Sequence, residues 1–252
     1  VLERAGVPFL TDERYSYRKM TDAHNLLLVD GWGQTGEGAQ WMPVQNPATR
    51  GRILACLADN AYFDLIADPT ARYGTTVLTG WQREVVGFAP GLFVVRDRIQ
   101  ASASADFDLL LHSYRTAAPP NGNSESAWLP YVSEDPWMEI APGRWTVTAR
   151  TGVPPLYSAE LSAPGWAPVI EASLYVPEIK FDTGLYNGDF ASYRKGARLR
   201  RRQRATDATS IQAFWFDDPG ATATRLEVGG GEGIALFLAG GPDITVLWPA
   251  VG

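Results

Sequence analysis

Histidine is nearly absent from this chain: 252 residues carry two, His24 and His112. The imidazole is the side chain whose unperturbed pKa lies closest to physiological pH. A search for acid–base chemistry near neutrality therefore narrows to two positions. Cysteine is scarcer still. Cys56 stands alone, which rules out an intrachain disulfide and every Cys-x-x-Cys zinc pattern. A lone cysteine suits the cytoplasm but is compatible with the periplasm. No apolar run approaches the roughly 20 residues needed to span a bilayer, so no membrane partner is expected. The first residues, Val1-Leu2-Glu3-Arg4-Ala5-Gly6, lack both an initiator Met and the apolar core of a signal peptide, and read as a processed or truncated end.

Helical periodicity is missing too. No three-turn stretch places apolar residues at i, i+3, i+4 and i+7, and 25 Gly and 18 Pro are spread along the chain. What recurs instead is the short apolar run ending at turn residues: Leu26–Val29, Ile53–Leu57, Tyr62–Ile66, Glu84–Phe88, Leu92–Val95, Phe107–Leu111, Trp145–Ala149, Ile211–Phe216 and Ile234–Leu238. These have strand length and strand composition. Together they predict an all-β protein, a large antiparallel β-sandwich, read as one domain over 1–252. Segments 31–51, 116–128 and 184–196 read as loops. An apolar content of 45% with 20% charged residues suits a substantial core.

The net charge of −6 argues against nucleic acid as a partner. Charge is nevertheless concentrated. Arg194, Lys195, Arg198, Arg200, Arg201, Arg202 and Arg204 crowd into eleven residues. Arginine forks recognise carboxylates and sulfates, so Arg198, Arg200 and Arg202 are candidate contacts to an acidic ligand. The competing reading is a charged strand edge that blocks edge-to-edge pairing.

Several strings occur in order: Phe9-Leu10-Thr11-Asp12, Tyr17-Arg18, Ala23-His24-Asn25 with Val29-Asp30-Gly31 and Gln34, then Asp68-Pro69-Thr70-Ala71-Arg72-Tyr73, Arg83–Val86, Leu92–Ile99 and Leu110-Leu111-His112-Ser113. Over about the first 115 residues this set resembles the β-sandwich domain of the heparinase II/III-like polysaccharide lyases. The resemblance implies a C-terminal sandwich joined to an N-terminal helical toroid that supplies a catalytic tyrosine. That toroid and the family's His-Gly-His-x-Asp segment are missing from these residues. It also implies β-elimination on a uronic-acid-containing acidic polysaccharide, such as a glycosaminoglycan or alginate, and a periplasmic or secreted location, with the cytoplasm as the alternative.

Under that resemblance His24 corresponds to the sandwich histidine facing the cleft, as base at the sugar C5 or as neutraliser of its carboxylate. Asn25 is expected either to touch substrate or, as its strand parity favours, to bond backbone amides. Tyr17, with Tyr15, is expected to line the same cleft. Trp32 or Trp41 would stack on a sugar, with Tyr73 a further loop aromatic. The bland alternative for His24 is a buried, hydrogen-bonded histidine. His112, closing an apolar run, reads as structural. No metal or other cofactor is expected. The alternative is a structural zinc on His24, Asp68 and His112, but the position two beyond His24 is Leu26, which cannot ligate. Asp217-Asp218-Pro219-Gly220 reads as a turn before it reads as a calcium site. Two non-enzymatic functions compete with the lyase: an acidic-carbohydrate-binding module and a structural domain capping a helical partner.

Overall fold

The computed structural model describes residues 2–4, 7–10, 21–37, 49–74, 77–89, 91–113, 138–141, 144–148, 154–162, 164–175, 194–239 and 243–248. Within them the strands are β1 (Leu2–Arg4), β2 (Val7–Leu10), β3 (Leu27–Val29), β4 (Arg52–Ala58), β5 (Tyr62–Asp68), β6 (Leu78–Phe88), β7 (Leu92–Ser113) and β8 (Met138–Ala141). They continue as β9 (Arg144–Val147), β10 (Leu156–Glu160), β11 (Ala167–Tyr175), β12 (Arg194–Phe216), β13 (Thr222–Val228), β14 (Gly231–Phe237) and β15 (Ile244–Trp248). Helical structure in the described residues is limited to 310 turns, among them Thr21–Ala23 and Thr70–Arg72. No helix there is long and apolar enough to cross a membrane. The expected all-β, antiparallel architecture is what the chain adopts.

Ten strands form one sheet in the order β4-β5-β6-β7-β12-β10-β9-β8, with β3 added beside β7 and β11 beside β12. The two central strands run 22 and 23 residues, and the sheet doubles over along them. Arg201 and Ser210 both belong to β12 and would stand about 30 Å apart on a straight strand, yet Arg201 Nη1 donates to Ser210 Oγ at 2.6 Å. The bend falls where β12 shifts register between Ala205 and Asp207. The facing part of β7 is Ala101-Ser102-Ala103-Ser104-Ala105. A bulge sharpens strand twist and bend, and small side chains let the two halves close on each other.

The result is two leaves of one sheet. Leu111 and Leu199 from one leaf pack with Phe214, Phe216, Phe93 and Val95 from the other, alongside Phe9 and Leu10 of β2. A second cluster around Trp81, Ile99, Phe107, Leu109 and Trp166 fills the bend. The separate sheet β13-β14-β15 covers the outer side of the first leaf, seating Ile234, Leu236 and Trp248 on Val94, Ile211 and Trp215. Burial of these side chains is the main stabilising term, roughly 1.5–3 kcal/mol for each large one.

The structure corrects the sequence reading at β12. The arginine run is not a sheet edge, because β12 lies between β7 and β11. Its odd positions point inward, with Leu199 and Arg201 buried at 0% and 3% exposure. Residues 194–196 open this strand instead of closing a loop. Expected loop 116–128 and residues 38–48 and 184–193 lie outside the described residues.

Candidate functional site

His24 sits at the point where β3 stops pairing with β7. Leu27, Leu28 and Val29 pair with Leu109, Asp108 and Phe107, and the Leu110 N–H still donates to Leu26 O at 3.0 Å. One step further the ladder would require His24 O as acceptor for His112 N–H. Instead the chain turns: Leu26 N–H donates to His24 O at 2.8 Å, and His24 N–H donates to Thr21 O at 3.1 Å. The amide this leaves is taken by Asn25, whose Oδ1 accepts from His112 N at 2.6 Å. Asn25 thus replaces a main-chain acceptor at the end of the ladder, which is the amide-bonding role weighed for it.

The turn is clamped from three sides. Arg83 Nη1 donates to Asn25 O at 2.7 Å, while its other nitrogens hold Asp97 at 2.8 and 3.1 Å. Burial works against the Arg83 charge, but the Asp97 carboxylate outweighs it and raises the pKa. Thr21 N–H donates to Glu37 Oε1 at 2.5 Å and Gly33 N–H to Glu37 Oε2 at 3.2 Å. A Cβ on Gly33 would lie 2.2 Å from Thr21 Oγ1, so this loop needs a glycine. From the third side, Arg198 Nη1 donates to Asp22 O at 3.1 Å. His24 itself is half-buried.

Arg198, Arg200, Arg202 and Arg204 share the outer face of the second leaf, where Arg198 stands across from His112 and Arg202 from Asp108. They form an alternating ion-pair ladder. Arg198 bonds Glu171 at 2.8 Å and Arg200 bonds Glu171 at 2.5 Å. Arg202 makes a two-pronged contact to Asp108 at 2.7 and 2.6 Å, which raises its pKa. Arg204 reaches Asp106 at 3.1 Å. Burial pushes the Glu171 carboxyl up, but hydrogen bonds from Arg198 and Arg200 more than offset that and hold it below the ordinary range. Glu171 and Asp108 were not singled out in the sequence. The available signal is an acid set between apolar strand residues, as in Phe107-Asp108-Leu109.

The ladder runs about 20 Å along the strand, beginning at the His24 turn. Its far end approaches Asp30, whose Oδ1 accepts from Asp106 N at 2.9 Å. There Val29-Asp30-Gly31-Trp32 makes a tight hairpin, with φ of 50° at Asp30 and 79° at Gly31 and reciprocal 2.9 Å bonds between Val29 and Trp32. Positive φ at both central residues is the Asp-Gly hairpin signature. Trp32 projects from it at 71% exposure. His24 and Trp32 therefore occupy opposite ends of one charged strip and do not share a pocket.

Other expectations fare differently. Tyr73 is not a sugar-stacking loop residue. It is 5% exposed, donates to Leu27 O at 2.7 Å and meets the Trp81 ring edge-on at 5.4 Å. Burial raises its phenol pKa strongly, so it supports β3 from beneath. Tyr15, Tyr17 and Trp41 lie outside the described residues. No group of three or more His, Cys, Asp or Glu there is placed to hold a metal ion. Asp68 is engaged by Arg52 at 2.6 Å. Asp218 spends both carboxylate oxygens on backbone amides, Gly220 at 3.0 Å and Ala239 at 2.6 Å, which makes it a turn.

The architecture has known counterparts. The fold is shared with heparan sulfate lyases. Heparan sulfate lyase HepC from Pedobacter heparinus superposes with a TM-score of 0.61 at 14% identity over 91% of this chain. A mutant of the same lyase gives 0.60 at 13%. A heparinase III structure gives 0.60 at 10% identity over 90% of this chain. This chain spans about a third of the length of those enzymes, 31% for HepC and 29% for heparinase III. No protein-family profile and no curated protein matches the sequence.

Proposed function

We propose that this chain is the β-sandwich part of a polysaccharide lyase of the heparinase II/III-like kind, acting by β-elimination on a uronic-acid-containing polymer. The observation that carries the reading is the charged strip on a lyase-type sandwich, with His24 at one end. Elimination needs a base at C5, neutralisation of the uronate carboxylate and a proton for the leaving oxygen. In this reading His24 is the base or the neutraliser, held by the Asn25, Arg83 and Thr21 contacts, and a helical toroid supplies a tyrosine. No cofactor enters the reaction.

The arginine strip suits a linear polyanion. Its guanidiniums are already paired, so the ligand would compete with Glu171 and Asp108 for shared forks and not meet bare cations. Arg202, with a side chain 45% exposed, is the accessible one among the three candidates. Trp32 would meet a sugar ring further along the polymer. Such a substrate belongs outside the cytoplasm, so a periplasmic or secreted location is part of the proposal.

The test is elimination activity of the complete protein containing this chain on heparan sulfate, alginate and other polyuronates, followed by ultraviolet absorbance of the unsaturated product. His24→Ala should abolish turnover with unchanged circular dichroism. Wild-type turnover in that variant would remove His24 from the chemistry. Polymer binding without any elimination would instead favour the carbohydrate-binding module.

A further inference from the structure

On the side of the first leaf away from the arginine strip lies an open cleft of about 840 Å³. Its floor is a cross-strand row through five strands: Arg52 on β4, Asp68 on β5, Gln82 on β6, Arg98 on β7 and Thr209 on β12. Adjacent strands pair Arg52 with Asp68, Gln82 with Arg98, and Arg98 with Thr209. In the next row β6 contributes Gly80, whose missing side chain makes room for Gln100, the Oε1 of which lies 3.1 Å from where a Cβ would stand.

Arg98 is the unusual member. It is half-buried at the centre of the row, and among the described residues no carboxylate comes within ion-pair distance of it. Arg52 has Asp68, and the neighbouring Arg96 has Glu232 and Glu84. Burial and the Arg96 charge disfavour the Arg98 cation, and Glu232 and Glu84 offset only part of this from beyond ion-pair distance. A guanidinium in that position gains from an anion with planar or tetrahedral oxygens, which its fork can bond twice. Arg50, also lining the cleft, adds positive charge. Gln82, Gln100 and Thr209 offer the amide and hydroxyl groups that bond sugar hydroxyls. Asp68 and Asp207 at the cleft would repel a densely charged ligand and favour one with a single anionic group among hydroxyls.

We propose that this cleft is a second binding site, which takes a carboxylate- or sulfate-bearing sugar with its anionic group on Arg98. The cleft and its demand for an anion stand on their own geometry. The choice of a sugar over a free anion rests on the lyase reading.

Isothermal titration of the purified chain would use three probes: a glucuronate-containing hexasaccharide, a neutral hexasaccharide and sodium sulfate. The acidic hexasaccharide should bind at least ten-fold more tightly than either other probe. Arg98→Gln and, independently, the cleft-filling Gly80→Val should each weaken it ten-fold or more, with circular dichroism unchanged. Glu227→Gln, on an exposed side chain of β13 outside the cleft, should leave it unaltered. Wild-type affinity in either cleft variant overturns the proposal. Equal affinity for sulfate and the hexasaccharide overturns the sugar assignment. If the complete protein eliminates no polyuronate yet binding still depends on Arg98, the lyase reading fails and the cleft stands.

Discussion

Replacing Arg96 with Met tests how the third layer is held. Arg96 is 5% exposed and lies between the first leaf and β13-β14-β15. It donates to Glu232 Oε1 at 2.9 and 2.5 Å, approaches Glu84 at 3.5 Å and covers the Trp248 ring at 4.7 Å. Met keeps much of the volume and loses the charge, leaving two largely buried carboxylates without their shared guanidinium. Breaking a buried ion pair from one side costs about 3–5 kcal/mol. Arg225, 3.3 Å from Glu232, takes up part of that, so about 3 kcal/mol is expected at neutral pH. Burial raises the Glu84 pKa. A group raised in the folded state contributes stability that is full below its unfolded pKa and lost as pH rises through the folded value. The Arg96→Met deficit should therefore shrink at mildly acidic pH, where Glu84 takes up a proton while the Trp248 indole still donates to its Oε1 at 2.7 Å. Urea unfolding followed by tryptophan fluorescence at pH 7 and near pH 4.5 measures both quantities. A deficit below about 1 kcal/mol at pH 7, or one that does not shrink on acidification, would refute the reasoning.

Two further outcomes follow from single contacts. Arg201→Ala should destabilise by about 3–4 kcal/mol, because this 3% exposed guanidinium bridges the leaves to Glu160 at 2.8 Å and Ser210 at 2.6 Å; adding Glu160→Gln should recover part of the loss, and strict additivity in the double-mutant cycle would show that the pair is not coupled. Asn25→Ala should cost about 1–3 kcal/mol by orphaning the His112 amide and should speed its hydrogen exchange, whereas Asn25→Asp, which keeps the acceptor, should retain protection.

Much of the fold was readable from short apolar runs, and what was missed has a physical cause. Leu92–Val95 and Phe107–Leu111 read as two strands but are the two ends of β7. The residues between them include Arg96 and Asp97, whose charges look like a loop and are in fact neutralised within the sheet by Glu232 and Arg83. The same applies to Arg198–Arg204, where acids from β7 and β11 make a charged run compatible with a central strand. Period-2 alternation was visible there. Its partners were not, because Asp108 and Glu171 lie tens of residues away and register is a tertiary property. At the site, scarcity and context singled out His24 and Asn25. The clamp by Arg83 and Glu37 could not be read, since nothing local connects those residues to the turn.

The doubled sheet determines how the two surfaces relate. Because β7 and β12 each belong to both leaves, alternation along one strand assigns residues to three environments. Arg98 faces the cleft, Phe107 the core at the bend, and Asp108 the arginine strip. A straight strand has only two faces, so the third arises from the bend at Ala101–Ala105 and Ala205–Asp207. The His24 turn is tied to both leaves, through Arg83 of β6 on the first and Arg198 of β12 on the second. A change in the angle between the leaves would pull on both clamps at once. The geometry at His24 is thus tied to the closure of the fold, which Arg201 braces from inside through Glu160 and Ser210.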